Sequence, residues 1–300
     1  MTSLTDEEML NFNRLGIIPG PQESPEDFAN RAEYCLNLQN TFDAKLVENA
    51  PFSNQNRISK EILDESFQIT EKLYDIKPDW IPVFFSNYKL AFWHGGCAWI
   101  FQENETTPTG AFFQLRTAFK NSQTYLGLYK RNELMAHEFS HVGRMMFEEP
   151  RFEEVFAYRS DHSAFRRYFG PIMQSSWESA LFVLFLFLIL IIDLSLSTLA
   201  SSNLYQHFMW LKLVPFGMLL YAIVRLYRKQ RQFSCCLANL RKIVKDEQSA
   251  NAVIYRLTDN EICNFASMSP EKLIEYISLQ KDTTLRWKII TIAYLYPILI

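Results

Sequence analysis

The chain has 300 residues, a hydrophobic fraction of 48% and a formal net charge of −3. This length is enough for one large domain or two small ones with a sizeable core. The charge is close to zero and no basic stripe with interleaved aromatics occurs, which argues against a nucleic-acid partner. The five cysteines are irregularly spaced and form no Cys-x-x-Cys pair, which predicts free thiols in a reducing compartment.

The first 78 residues are predicted to be polar and helical. Ser24 followed by Pro25 is typical of a helix start, and "ISKEILDESFQITEKLYDI" has the apolar spacing of an amphipathic helix. The acidic start "MTSLTDEEML" does not resemble a signal peptide. The composition changes after Pro78, where "WIPVFFS", "CAWIFQ" and "GAFFQLR" predict at least three short strands.

Two apolar runs follow in the second half of the chain. Ala180 to Ala200 contains a single charge, Asp193, and Phe208 to Tyr227 contains Lys212. Each run is about as long as a helix that crosses a bilayer, roughly 20 residues. The two charged residues are expected either to pair across the hairpin or to reach separately toward the interface.

The basic residues around these runs predict an orientation. Arg166 and Arg167 precede the first run, and Arg225, Arg228, Lys229 and Arg231 end or follow the second. The connecting "SSNLYQH" contains no Lys or Arg. The positive-inside rule then predicts one hairpin, from about residue 178 to 228, with both termini on the cytoplasmic side.

We therefore divide the chain into residues 1–172, a membrane hairpin at 173–231 and a small helical region at 232–300. Thr258 in "TDNE" and Ser269 in "SPEK" predict helix starts in this last region. The final stretch, "WKIITIAYLYPILI", is too short to span a bilayer and is expected to pack on protein or lie at the interface.

The stretch "ELMAHEFSHV" carries the chemistry. On a helix, His137 and His141 lie one turn apart on the same face, so both imidazoles can reach one tetrahedral zinc ion. Glu138 is placed to take a proton from a zinc-bound water without being a ligand. The sequence thus predicts one Zn²⁺ per chain.

This stretch resembles the active-site helix of zincin metallopeptidases. The resemblance covers about Trp80 to Arg159 and implies an α+β fold, with a small sheet before the helix whose edge strand binds the substrate backbone. Phe147 stands where the metzincin branch has its third histidine, so the gluzincin branch fits better. In that branch the third ligand is a glutamate on a following helix.

Glu154, in "EVFA", is our first candidate for that third ligand because a short helix-turn-helix returns it to the histidines. Glu153 and Glu247 are the alternatives. Glu247 would resemble the membrane metallopeptidases of the heat-shock and prenyl-protein-processing type. Glu148 and Glu149 are expected to form a solvated face.

Tyr158 stands where gluzincins have an aspartate that orients the first histidine. The orienting group therefore stays open. Tyr158, Arg159 and His162 are candidates to stabilise the oxyanion.

The combined prediction is a membrane-anchored zinc endopeptidase with a cytoplasmic active site. Its expected partners are the lipid bilayer and a membrane-proximal protein or peptide substrate. The alternative is a membrane-tethered interaction protein that has a zincin-like fold but no activity.

Overall fold

The structure is a computed structural model. It describes residues 4–45, 52, 54–102, 104, 107–173, 175–199, 208–244 and 246–295. Over these residues the architecture is mixed α+β and mostly helical, with a three-stranded sheet, a two-stranded hairpin and two long apolar helices.

Three helices form the N-terminal part: α1 Asp6–Arg14, α2 Pro25–Lys45 and α3 Lys60–Tyr74. Thr5 and Glu8 form a capping box that satisfies free backbone N–H groups at the start of α1. The Ser24 hydroxyl accepts a hydrogen bond from the Asp27 N–H at 3.1 Å, which confirms the predicted start of α2.

The predicted strands are present as β1 Val83–Phe85, β2 Gly96–Phe101 and β3 Gly110–Leu115. They form a sheet in the order β1-β3-β2, in which β1 runs parallel and β2 antiparallel to β3. A small hairpin of β4 Thr124–Tyr125 and β5 Tyr129–Lys130 follows. Strand β2 is thus an edge of the sheet.

Helix α4, Arg131–Gly143, carries the His-Glu-x-x-His motif. Met135 and Phe139 are fully buried against the sheet and α3, and the Phe139 ring stacks on Phe67 at 5.3 Å between centroids. Because this apolar face of α4 packs inward, the face that carries the two histidines points toward an opening. Two short helices follow, α5 Glu153–Tyr158 and α6 Ala164–Phe169.

Both predicted apolar runs are helical, in α7 Ser176–Leu199 and α8 Leu213–Ile243. Both are long and apolar enough to cross a membrane. An ion pair of 2.8 Å joins Asp193 to Lys212, which agrees with the expectation that these two residues pair across the hairpin. A second ion pair, of 2.6 Å, joins Glu178 to Arg225. The connecting turn, including Ser201 to His207, lies outside the described residues.

Helix α8 does not stop at the expected boundary at residue 231. No glycine or proline interrupts the chain between Met218 and Ile243, so the helix continues unbroken into the body of the protein. Its last turns bury Phe233, Leu237 and Leu240. The boundary proposed from the sequence therefore falls inside one helix.

The C-terminal region consists of four helices and a short π-helical turn. They are α9 Glu247–Tyr255, α10 Asp259–Phe265, α11 Pro270–Gln280, α12 Leu285–Ile290 and the turn Thr291–Leu295. Thr258 and Glu261 form the predicted capping box, and Trp287 and Ile290 are buried, so the described part of the final stretch packs on protein. One hydrophobic cluster joins this region to Tyr74 and Phe156.

Candidate metal centre

Helix α4 brings the two motif histidines together on one face. The Nε2 atoms of His137 and His141 lie 3.2 Å apart, and the rings meet edge to face at 4.9 Å between centroids. This is the consequence of the four-residue spacing, which places side chains one turn apart.

Glu154 reaches the same point from α5. Its carboxylate oxygens lie 3.8 Å from the Nε2 atom of each histidine. Ligand atoms around a tetrahedral zinc ion with bonds of about 2.1 Å are separated by about 3.4 Å. The three donor atoms therefore form a group that could hold a metal ion.

The loop between α4 and α5 makes this approach possible. The chain reverses direction at Glu148, which has a φ of +53°, in the left-handed region that non-glycine residues rarely adopt. Glu149 Oε2 accepts a hydrogen bond from the Asp259 N–H at 2.6 Å. Glu148 is exposed as expected, but the expectation of a solvated Glu149 is wrong because this carboxylate holds the C-terminal region.

Glu138 lies between the histidines and the edge of the sheet. Its Oε2 accepts a hydrogen bond of 3.0 Å from the backbone N–H of Ala98 in β2. Burial raises the pKa of Glu138, against the lowering effects of His141 and of this hydrogen bond. The carboxyl group of Glu138 is thus held beside the three possible metal-donor atoms, and it has a stronger affinity for protons than in water.

The Ala98 contact also shows which side of β2 is free. In an antiparallel ladder, alternate residues direct their N–H and C=O groups away from the partner strand. Gly96 and Ile100 alternate with the residues that bond to β3, so their backbone groups face the same free edge as those of Ala98. That edge runs alongside helix α4.

Glu153, an alternative third ligand in the sequence analysis, takes a different position. Its Oε1 lies 3.0 Å from His141 Nδ1 and its Oε2 lies 3.1 Å from Arg144 Nε. An ionised carboxylate only accepts, so this contact holds a proton on His141 Nδ1 and turns Nε2 toward His137 and Glu154. Glu153 is therefore placed to orient the second histidine, and not the first, for which the sequence left the orienting group open.

The surroundings of the two histidines shift their pKa values in opposite directions. Burial lowers the pKa of His137 well below its usual value, and the neighbouring His141 adds to this. Burial also disfavours the charged form of His141, but the hydrogen bond and charge of Glu153, with Glu138 and Glu154, raise its pKa to about 9. These opposite shifts in pKa favour a neutral His137 and a protonated His141 in the metal-free site.

Arg144 connects this site to the C-terminal region. Its side chain is fully buried, and Nη1 donates to the carbonyl oxygens of Tyr255 and Leu257. The Tyr255 hydroxyl in turn donates to the Ser140 carbonyl of α4 at 2.6 Å. The region after α8 thus supports the motif helix directly.

The site opens into a cavity of about 150 Å³. Its wall includes His137, Glu138 and Tyr158. The Tyr158 ring meets the His137 ring edge to face at 4.8 Å, and burial raises the pKa of Tyr158 to about 12. Tyr158 thus presents a neutral phenol beside the metal-ligand group.

The other predicted site residues lie elsewhere. The Arg159 guanidinium bonds to Asn251 at 3.3 Å and points toward the C-terminal region. His162 is 77% exposed and pairs with Glu133. Glu247 is 70% exposed and pairs with Arg241 at the start of α9, so the structure does not bring it to the histidines. Tyr158 and Arg159 are adjacent at the end of α5, and the phase of this helix, which the sequence alone did not give, decides which of the two faces the cavity.

Several exposed apolar side chains are close in the chain to residues that line the cavity. We call them the apolar rim; they are Phe92, Trp93, Leu126, Leu128 and Phe165, each more than half exposed. The Tyr125 hydroxyl donates to the Phe92 carbonyl at 2.6 Å, which brings two of these loops together. Phe165 lies in α6, which precedes the first apolar helix in the chain.

Comparisons with known proteins gave no match for this chain, among family models, curated proteins or solved structures.

Proposed function

We propose that the protein is a membrane-anchored zinc endopeptidase. The observation that carries the proposal is the convergence of His137, His141 and Glu154 on one point, with Glu138 beside it and outside the ligand group. Three protein ligands with one open position are typical of catalytic zinc sites. A bound zinc ion would supply a Lewis acid and lower the pKa of water in the open position to about 7.

Glu138 is the proposed general base. Its pKa is raised by burial, which improves its ability to accept a proton from water and pass it to the leaving amine. The Ala98 N–H holds the carboxylate in place through a 3.0 Å hydrogen bond. In this proposal the Ala98 N–H positions the Glu138 carboxylate before the substrate arrives.

The free edge of β2 is the proposed binding site for the substrate backbone. Outward N–H and C=O groups at Gly96 and Ile100, on either side of the Ala98 contact, match an extended peptide that adds as a further strand. Tyr158 is the proposed oxyanion donor, because a phenol with a pKa of about 12 stays protonated at neutral pH. Arg159 and His162 point elsewhere and are not part of this proposal.

The apolar rim supports a membrane-proximal substrate. Contiguous exposed apolar side chains are typical of surfaces that bind protein or membrane. Phe165 of the rim lies in α6, which precedes α7 in the chain, and α7 is one of the two helices apolar enough to cross a membrane. With the basic residues outside the hairpin, we place the site on the cytoplasmic face.

Metal analysis and an activity assay on the full-length protein test this function. Wild type is expected to carry one zinc per chain, and His141→Ala is expected to lose it. Glu138→Gln should retain zinc and lose hydrolysis of a denatured-protein substrate by about 10²-fold or more. The matched control is Glu148→Gln, an exposed glutamate, which should keep both zinc and activity.

Two results would contradict the proposal. Wild-type protein without stoichiometric zinc would remove the metal centre. Stoichiometric zinc with equal activity in wild type and Glu138→Gln would remove the peptidase mechanism and favour an inactive interaction protein.

A further inference from the structure

A second cavity, of about 760 Å³, lies where α8 leaves its apolar segment and meets the body of the protein. One half of its lining is apolar and comes from Gly217, Leu220 and Val224 of α8. The other half is basic and comes from four residues: Arg151, Arg225, Arg228 and Lys229. We call this cavity the junction groove.

Two of the four cations in the junction groove have partners. Arg225 makes a two-pronged contact with Glu178, at 2.6 and 2.7 Å. The Arg151 guanidinium donates to Gln232 at 2.9 Å. The other two cations are Lys229 and Arg228.

Lys229 is only 8% exposed, yet within the described parts of the chain no hydrogen bond or ion pair is found for its ammonium group. Asp259 and Glu178 are near enough to act on it electrostatically, but neither forms an ion pair with it. Arg228 also lines the groove and is exposed at its rim. Neither Lys229 nor Arg228 forms an ion pair within the described residues, so the groove presents two positive charges to a ligand that supplies an anion.

The position of the groove defines that ligand. Its apolar half belongs to the part of α8 that we propose to be in the membrane, and its basic half lies at the end of that part. A soluble phosphate would use only the basic half. An acyl chain along Leu220 and Val224 with a phosphate at Lys229 uses both halves, as basic pockets beside membrane helices do with anionic lipids.

We propose that the junction groove binds one anionic phospholipid, with its phosphate between Arg228 and Lys229 and an acyl chain along α8. This inference rests on the proposed membrane anchoring and is independent of the zinc centre. The lipid would join α8 to the α4–α5 loop through Arg151, which follows Pro150 in that loop.

Native mass spectrometry of the full-length protein in detergent tests this site. Wild type is expected to retain phosphatidylglycerol in preference to phosphatidylcholine. Loss of two interfacial cations in Arg228→Gln/Lys229→Met should weaken phosphatidylglycerol binding by about tenfold or more. The matched control is Arg231→Gln, an exposed arginine of the same helix outside the groove, which should bind like wild type.

A second variant distinguishes a loss of lipid binding from a loss of folding. Arg228 is exposed, so Arg228→Gln alone should keep the thermal unfolding profile of wild type and still weaken lipid binding. Three results would overturn the proposal: equal binding of both lipids, an equal loss in Arg231→Gln, or displacement of the lipid by inorganic phosphate alone. His141→Ala should bind lipid normally, so failure of the zinc proposal and failure of this one are separate observations. Release of the protein from membranes by alkaline carbonate would disprove the anchoring itself.

Discussion

The Oε1 atom of Glu153 lies 3.0 Å from Nδ1 of His141, while its other oxygen lies 3.1 Å from Arg144. The adjacent Glu154 faces the Nε2 atoms of both histidines. Two neighbouring glutamates on one short helix thus have different positions, because successive helical residues point about 100° apart. One is placed to bind the metal and the other to orient a ligand.

Glu153→Gln should weaken zinc binding by about 10- to 100-fold without abolishing it, because loss of an orienting carboxylate has effects of that size. The amide oxygen can still accept from His141, but the negative charge is lost. Competition with a chromophoric zinc chelator measures the affinity. Glu148→Gln is the matched control, and an unchanged affinity in Glu153→Gln would show that the contact does not tune the site.

Zinc affinity should rise with pH up to about 9 and then level off. Below that pH the metal-free protein holds a proton on His141, whose pKa is raised to about 9, and zinc must displace it. His137 contributes little to this proton release, because its pKa lies well below the usual value. Calorimetry in buffers of different ionisation enthalpy should show about one proton released per zinc at pH 7.

The same shift affects the stability of the metal-free protein. The folded pKa of His141 is above its usual value of 6.5, so this group stabilises the fold fully below pH 6.5, and that contribution is lost as pH rises toward 9. Glu153→Gln should move the break in zinc affinity to lower pH, because Glu153 supplies the hydrogen bond and a charge that raise the pKa. A pH-independent zinc affinity between pH 6 and 9 would refute both statements.

The third ligand is tested by a pair of substitutions in the full chain. Glu154→Ala should reduce zinc content severely, because only two protein ligands would remain. Glu247→Ala should leave zinc content unchanged, because its exposed side chain pairs with Arg241. The reverse pattern would favour the architecture in which the ligand follows the membrane hairpin. Full zinc content in both variants would point to Glu153.

Local signals in the sequence predicted much of the fold. The helix starts at Pro25 and Thr258, the three aromatic strands and the two apolar helices all follow from patterns within a few residues. The spacing of His137 and His141 is local in the same sense. Such features depend on backbone preference and side-chain period, which the sequence displays directly.

Other parts of the site depend on contacts between distant residues. Ala98 meets Glu138 across 40 positions, and Arg144 bonds to the Leu257 carbonyl across 113. Backbone groups leave no sequence signal, so Ala98 could not be identified in advance. The unbroken course of α8 past residue 231 was also missed, because hydropathy marks the end of an apolar segment and not the end of a helix.

The orientation of the hairpin gives a further prediction. Cysteines introduced at Phe208 and at Lys281, in a background without native cysteines, should react with an impermeant reagent from opposite sides of the membrane. The reason is that the flanking basic residues lie outside the hairpin. Reaction of both from the same side would contradict a two-span hairpin, and reaction of neither position in intact vesicles would indicate that both are shielded.

Ala98→Pro tests the link between the sheet edge and the proposed base. Proline removes the N–H that holds Glu138, and it is tolerated at edge positions whose N–H faces away from the sheet. Zinc content should stay unchanged because none of the three ligand residues contacts that N–H.

This hydrogen bond lowers the pKa of Glu138, so its loss should raise that pKa further. Since a general base works when deprotonated, the acidic limb of the pH–rate profile should move to higher pH. Ala98→Ser retains the N–H and should keep the wild-type profile. A folded, zinc-loaded Ala98→Pro protein with the wild-type rate and pH profile would show that Glu138 does not need this contact.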